Sequence, residues 1–149
     1  ILKNSDAVFK FIVTGSQVLN EKNLNESYSH FPSERQRIFD FIRENNISGV
    51  VFLTGDRHHS ELLKMNQPGN YPFYDFTCSP LSGMARHTMK THEATNPLRI
   101  DNTLVTKHNF GKISISGEPG NRKCTLETYD EKAGKIWEYT INEEELRKK

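Results

Sequence analysis

Residues 50–59 decide the fold, and they read Val-Val-Phe-Leu-Thr-Gly-Asp-Arg-His-His. An apolar run that ends at a glycine is typical of a strand buried on both faces, at the centre of an α/β sheet. Ligands of such sheets bind in the crevice beyond the carboxyl ends of the strands. One carboxylate, one guanidinium and two imidazoles follow this end directly, so the sequence predicts the functional site there.

The strand over residues 8–13 resembles the central strand over residues 49–54, because both end in glycine followed by polar residues. If the two strands lie parallel, their carboxyl ends meet at the same edge of the sheet. We therefore expect Gln17 and Asp56 to lie on one rim. The polar residues 20–30 connect to the next element through a loop long enough to be functional.

A helix is predicted between these two strands. Ser33 stands three residues before Gln36, which is a capping-box pattern. Ile38, Phe41 and Ile42 then form an apolar stripe at helical spacing. Strand, helix and strand together predict a crossover unit with parallel strands.

The second half of the chain predicts β-structure. The predicted strands cover residues 60–65, 71–77, 110–116, 123–129 and 135–141. The polar residues 78–102 form a long loop over the rim of the sheet, with Arg86, His87, His92 and Arg99 among them. Residues 143–149 are expected to form a solvated charged helix or a frayed end.

The composition describes one domain of 149 residues, which is long enough to bury roughly two-thirds of its unfolded surface. Its 20 basic and 19 acidic residues argue against a nucleic-acid partner. No apolar run is long enough to cross a bilayer, so no membrane partner is expected. Cys78 and Cys124 are able to pair or to stay reduced, and two buried thiols are the favoured interpretation. The start at Ile1, without methionine, suggests a fragment or a processed chain.

Asp56 and His58 are the candidate metal ligands. Residues two apart in an extended segment point to the same side, so both side chains can converge on one ion. Mixed oxygen and nitrogen donors suit zinc, manganese or iron, and calcium when more oxygens join. The alternative is an aspartate and a histidine that cap a loop at a sheet edge.

The two residues beside these ligands have several possible roles. Arg57 points the other way in ideal geometry and reaches a phosphate oxygen only if the loop curls. His59 is a support for a ligand, an acid for a leaving alkoxide, or an exposed side chain. A metal centre that activates water needs at least three protein ligands. The remaining ligands come from scattered residues of this chain or from chain that is absent.

Other catalytic motifs are missing from the sequence. It contains no H-E-x-x-H, no G-x-S-x-G, no Walker A and no G-x-G-x-x-G motif. Zinc-protease, serine-hydrolase and nucleotide-binding chemistry are therefore not indicated.

The sequence Gly-Asp-Arg-His at residues 55–58 resembles the last motif of calcineurin-like metallophosphoesterases, G-H-x-H, with Asp in place of the first His. That replacement is characteristic of the PhoD-like alkaline phosphatase and phosphodiesterase branch. Further segments resemble the carboxyl-terminal half of this family in the same order, namely residues 13–18, 29–37, 52–62, 96–99 and 108–111. The family's upstream D-x-[HD], G-D-x-x and G-N-H-[DE] motifs have no counterpart here.

The resemblance implies an α/β fold, part of a two-layer β-sandwich flanked by helices, with residues 1–149 as the carboxyl-terminal portion of the domain. It implies that Asp56 and His58 bind metal, that Gln17 contributes to substrate binding, and that the amino-terminal half of the domain is a partner. It also suggests a secreted or periplasmic location.

Two functions of different classes follow. The first is metal-dependent hydrolysis of phosphate mono- or diesters, in which Arg57, His59 and Arg86 are the catalytic candidates that meet the developing charge. The family-wide resemblance favours it, although we expect this chain alone to be inactive. The second is a non-catalytic β-rich binding or accessory domain, which the missing upstream ligands favour.

Overall fold

The computed structural model describes residues 1–21, 26–85 and 94–148. The strands and the helix of these residues are, in chain order, β1 (Lys10–Thr14), α1 (Pro32–Glu44), β2 (Val50–Thr54), β3 (Glu61–Met65), β4 (Phe73–Thr77), β5 (Asn109–Ser116), β6 (Lys123–Asp130) and β7 (Lys135–Asn142). All seven strands agree with the predicted ones to within two residues at either end.

The first sheet has the strand order β1-β2-β4-β3. Strands β1, β2 and β4 are parallel, and β3 is antiparallel to β4. The predicted parallel pairing of the first two strands is therefore confirmed. Thr14, Thr54 and Thr77 pair in register, so the three carboxyl ends lie side by side at one edge. We call this the carboxyl edge.

The second sheet is an antiparallel meander in the order β5-β6-β7. It packs against one face of the first sheet through aromatic pairs. The ring centroids of Tyr74 and Tyr139 are 5.8 Å apart, and those of Phe76 and Trp137 are 5.5 Å apart. The described residues thus form a β-rich mixed α/β fold, as expected at that level.

Helix α1 covers the other face of the first sheet. Phe39 projects from the helix, and its ring lies 6.2 Å from Phe52 and 5.1 Å from Phe73. Side chains alternate along a strand, so Asp75 and Thr77 share the face of Phe73. The polar residues of β4 therefore lie on the helix side of the sheet, at the carboxyl edge.

The predicted details of α1 were wrong in two respects. The helix begins at Pro32, with Phe31 as the N-cap and no side-chain capping bond, so Ser33 lies inside the first turn. The fixed backbone angle of proline suits the first helical position. Phe39 and Ile42 are buried, whereas Phe41 is 46% exposed. The buried stripe is thus rotated away from Phe41, because the sheet lies on the Phe39 side.

The charged tail also differs from the expectation of a solvated segment. It forms a short 3₁₀ helix over Glu143–Leu146, and Leu146 is buried in the core. Its carbonyl accepts a hydrogen bond from the backbone N–H of Gly49 at 3.0 Å, which ties the tail to the start of β2.

Two further expectations concern the thiols and the membrane. Cys124 is buried and Cys78 is half-buried, and both thiols are free. The favoured interpretation of two buried thiols is thus right for Cys124 and right only in part for Cys78. None of the helices in the described ranges is long and apolar enough to cross a bilayer.

Candidate functional site

The loop after β2 curls instead of running on as extended chain. Asp56 and His58 have φ angles of 56° and 58°, in the left-handed region. Aspartate and histidine enter this region more readily than most residues. Asp56 is exposed and His58 is half-buried, whereas Arg57 and His59 are buried. The extended i, i+2 geometry assumed from the sequence therefore does not apply, and the curl determines which side chains face outward.

The contacts of His58 suit a metal ligand. Its Nδ1 lies 2.5 Å from the carbonyl oxygen of Met84, and its backbone N–H donates to Ser79 Oγ at 3.0 Å. A carbonyl oxygen only accepts, so Nδ1 carries a proton, and in the neutral ring Nε2 then keeps its lone pair. A ligating histidine is commonly oriented in this way, by a backbone carbonyl on its other nitrogen.

The donor set of the described residues fits part of a metal centre. Asp56 supplies an exposed carboxylate and His58 an imidazole nitrogen. Within residues 1–21, 26–85 and 94–148 there is no group of three or more His, Cys, Asp or Glu side chains that could hold an ion. Asp56 and His58 thus suit two positions of a metal coordination shell, and the remaining positions need ligands from elsewhere.

The side chain of Arg57 turns inward, behind the loop. Its Nε donates to Gln17 Oε1 at 2.9 Å, and its NH1 lies 3.3 Å from Glu26 Oε2. The side chain is 0% exposed. The loop does curl, as contact with a phosphate oxygen would require, but the curl buries the guanidinium. Its predicted catalytic role is untested, and the contacts favour a supporting role.

Gln17 lies beside Arg57 at the carboxyl edge, and its side chain is a fully used hydrogen-bonding node. The Nε2 group donates to Glu61 Oε1 and to Thr77 Oγ1, both at 2.7 Å. The Oε1 atom accepts from Asn20 Nδ2 at 2.7 Å and from Arg57 Nε. The residue is buried, so its predicted contact with substrate is untested and would require these bonds to change.

His59 is buried against Glu61. Its Nδ1 lies 2.9 Å from the carbonyl oxygen of Arg57, and its Nε2 lies 3.3 Å from Glu61 Oε1 without the alignment of a hydrogen bond. Both side chains are 0% exposed. Of the roles left open for His59, support for the ligand loop suits these contacts best. Its role as an acid is untested.

Glu61 is a functional candidate that the sequence did not indicate. Burial would raise the pKa of its carboxyl group, but His59, Arg99 and Gln17 outweigh burial and hold the pKa below its ordinary value of 4.5. Arg99 Nε donates to its Oε2 at 2.5 Å. The negative charge of the buried carboxylate is thus stabilised by hydrogen bonds from Gln17 and Arg99.

Asp75 is the second missed carboxylate. Its Oδ2 accepts from the backbone N–H groups of Val18 and Leu19 at 2.8 and 2.9 Å, and its Oδ1 accepts from Thr54 Oγ1 at 2.6 Å. Burial is the largest influence and raises the pKa of Asp75 to about 6, although these hydrogen bonds oppose it. A lone carboxylate inside the apolar strand Phe-Tyr-Asp-Phe-Thr was the available signal.

The remaining predicted site residues concern the loop over residues 78–102. Arg86, His87 and His92 lie outside the described residues, so the predicted catalytic role of Arg86 is untested. Arg99 is described and reaches Glu61, as given above.

Comparisons with known proteins identify one family. The model of the family described as "PhoD-like phosphatase" matches residues 2–128. A solved structure described as "Structure of PhoD" matches with a TM-score of 0.63 at 15% identity, over 94% of this chain and 33% of that chain. The chain thus spans about a third of the length of that protein. No curated protein sequence matches.

Proposed function

Because the chain belongs to the PhoD-like phosphatase family, we propose that it forms one side of a metal-dependent active site that hydrolyses phosphate mono- or diesters. The observation that carries this proposal is the pairing of an exposed Asp56 with a His58 whose Nε2 is left for an ion. Both follow the central strand at the carboxyl edge, where ligands of α/β sheets bind. The family makes a phosphate ester the expected substrate.

The metal in this proposal is iron, calcium, manganese or zinc. Asp56 and His58 would hold it, and it would supply an activated water and polarise the phosphoryl oxygens. The described residues contain no group of three or more His, Cys, Asp or Glu side chains that could hold an ion, so further ligands are needed. We propose that residues 1–149 are the carboxyl-terminal portion of a metallophosphoesterase β-sandwich and that an amino-terminal half supplies those ligands.

The other named residues divide by their burial. Arg57, Gln17 and His59 are buried and bonded to protein groups, and we assign them to holding the ligand loop in place. The negative charge of the transferred phosphoryl group then has to be stabilised by other cationic side chains at the exposed side of the carboxyl edge. Arg86 is our candidate for that contact.

The test uses the 149-residue chain and the full-length natural protein that contains it. Each is assayed with a chromogenic phosphodiester and a chromogenic monoester, with manganese, zinc, iron or calcium added. We expect turnover by the full-length protein, loss of that turnover in Asp56→Asn, and background rates for the 149-residue chain. A full-length protein that is inactive with every ion, or an unaffected Asp56→Asn variant, would contradict the proposal.

A second candidate function is a non-catalytic β-rich binding or accessory domain. The absence of a third metal-capable side chain near Asp56 and His58, in the part of the chain that the structure describes, favours it. Metal binding by the full-length protein without hydrolysis of either ester would support this function over catalysis.

A further inference from the structure

Four buried side chains close a ring behind the loop that carries Asp56 and His58. They are Gln17, Arg57, His59 and Glu61, and we call them the edge ring. Glu61 Oε1 accepts from Gln17 Nε2 at 2.7 Å, and Gln17 Oε1 accepts from Arg57 Nε at 2.9 Å. The carbonyl oxygen of Arg57 lies 2.9 Å from His59 Nδ1. His59 Nε2 returns to within 3.3 Å of Glu61 Oε1.

The edge ring holds Arg57 at two points. Gln17 binds its guanidinium, and His59 binds its backbone carbonyl. Asp56 and His58 are the immediate neighbours of Arg57, and both adopt left-handed backbone angles. Such angles cost about 1–3 kcal/mol each and persist only where the surrounding structure enforces them. The ring fixes the residue that lies between them.

Glu61 is the anionic member of the ring and accepts hydrogen bonds at both of its oxygens. Each of its oxygens receives an N–H donor, Oε1 from Gln17 and Oε2 from Arg99. An amide in its place would turn its NH₂ group towards one of these donors. Both donors are anchored, because Gln17 uses all four of its hydrogen-bonding positions and Arg99 Nη1 also donates to the carbonyl of Ala94 at 3.0 Å.

We infer that Glu61 is a positioning residue of the metal-binding loop, acting through the edge ring to fix where Asp56 and His58 lie. The inference rests on the proposed function of these two residues as ligands. Glu61 touches neither of them and acts through Gln17, His59 and Arg57. Partners that orient metal ligands from behind typically contribute about 10–100-fold to metal affinity or activity.

The test compares Glu61→Gln with Glu127→Gln in the full-length protein. Glu127 is a matched control because it is also a nearly buried strand carboxylate, but it lies in the second sheet and bonds Tyr129 and Lys112. We expect Glu61→Gln to weaken Mn²⁺ binding in calorimetric titration by about 10–100-fold. Glu127→Gln should keep the affinity within about twofold, even if it lowers the unfolding midpoint as much.

A second readout needs no metal. The backbone N–H of His58 donates to Ser79 Oγ, so its hydrogen exchange reports whether the loop keeps its place. In the metal-free protein, exchange at His58 should become faster in Glu61→Gln and stay unchanged in Glu127→Gln. If Glu61→Gln does not fold, Arg99→Lys replaces it. Exchange at His58 should then also become faster, by a smaller amount.

The inference is overturned if a folded Glu61→Gln keeps both its Mn²⁺ affinity and its exchange rate at His58. Where Arg99→Lys replaces it, an unchanged exchange rate at His58 has the same meaning. Glu61 would then be a structural residue of β3. A wild-type protein that binds none of iron, calcium, manganese and zinc would instead refute the proposed function. The exchange measurement would still decide whether Glu61 positions the loop.

Discussion

His58 Nδ1 lies 2.5 Å from the carbonyl oxygen of Met84, so the other ring nitrogen, Nε2, is the one left to bind an ion. The Nε2 atom of His108 lies 2.8 Å from the carbonyl oxygen of Gly83, the residue before Met84 in the same loop. The two histidines thus hold one loop, but only His58 follows the central strand beside Asp56.

This relationship predicts different effects of two matched substitutions in the full-length protein. His58→Ala should lower Mn²⁺ affinity by at least about 100-fold, more than the loss of an outer partner costs. His108→Ala removes a similar anchor of the loop and should change the affinity less than about tenfold. Calorimetric titration of both variants is the measurement, and equal losses would assign His58 to holding the loop.

The raised pKa of Asp75, about 6 in the folded protein against the ordinary 3.8, predicts a pH dependence of stability. Between these values the folded protein binds a proton that the unfolded chain has lost. The unfolding free energy therefore falls as the pH rises from about 4 to 6, by up to about 3 kcal/mol. The lowered pKa of Glu61 acts in the opposite direction, below its ordinary 4.5, where stability is lost as the pH falls.

Urea unfolding of the wild type and Asp75→Asn across this range checks the prediction. The variant cannot titrate at this position, so its stability should lack the fall between about pH 4 and 6. Asp101→Asn, at an exposed aspartate, is the control and should behave as the wild type. A fall that persists unchanged in Asp75→Asn would assign it to another group.

Gly49 is predicted to tolerate no side chain. Its φ angle is +80°, and an added Cβ would lie 1.9 Å from the carbonyl oxygen of Val8. Gly49→Ala should therefore lower the unfolding free energy by about 2–4 kcal/mol, through backbone strain and the clash together. Gly69 has a φ of +69° with open space around it, so Gly69→Ala should cost about 1 kcal/mol from strain alone. Equal costs in denaturant unfolding would show that the backbone at Gly49 moves aside.

Two phenylalanines of α1 test which face of the helix packs on the sheet. Phe39→Ala should lower the unfolding free energy by about 3–5 kcal/mol, because the ring is buried against Phe52 and Phe73. Phe41→Ala should cost less than about 1 kcal/mol, since Phe41 is 46% exposed. The reverse order in urea unfolding would mean that the helix packs on its Phe41 side.

The local pattern of the sequence determined the elements of this protein. A continuous apolar run that ends at a glycine marks the central strand β2, because a strand buried on both faces needs apolar side chains at every position. The strands of the meander instead mix polar and apolar residues between turn-rich breaks, because only one of their faces packs on the first sheet. The order strand, helix, strand also determined the parallel pairing of β1 and β2. Local pattern was weaker for α1, where Phe39 and Phe41 stand two apart and only the sheet decides which one is buried.

The candidate site was predictable only in part. Asp56 and His58 stand out because polar groups follow a buried strand directly, which the chain itself displays. The roles of Gln17, Glu61 and Asp75 were decided by the tertiary structure, since their partners are distant in sequence. Gln17 meets Glu61 across 44 residues and Thr77 across 60. Such contacts form only when the paired strands of the sheet bring separate segments to one edge. Burial there makes each unpaired polar group costly enough to fix its partner.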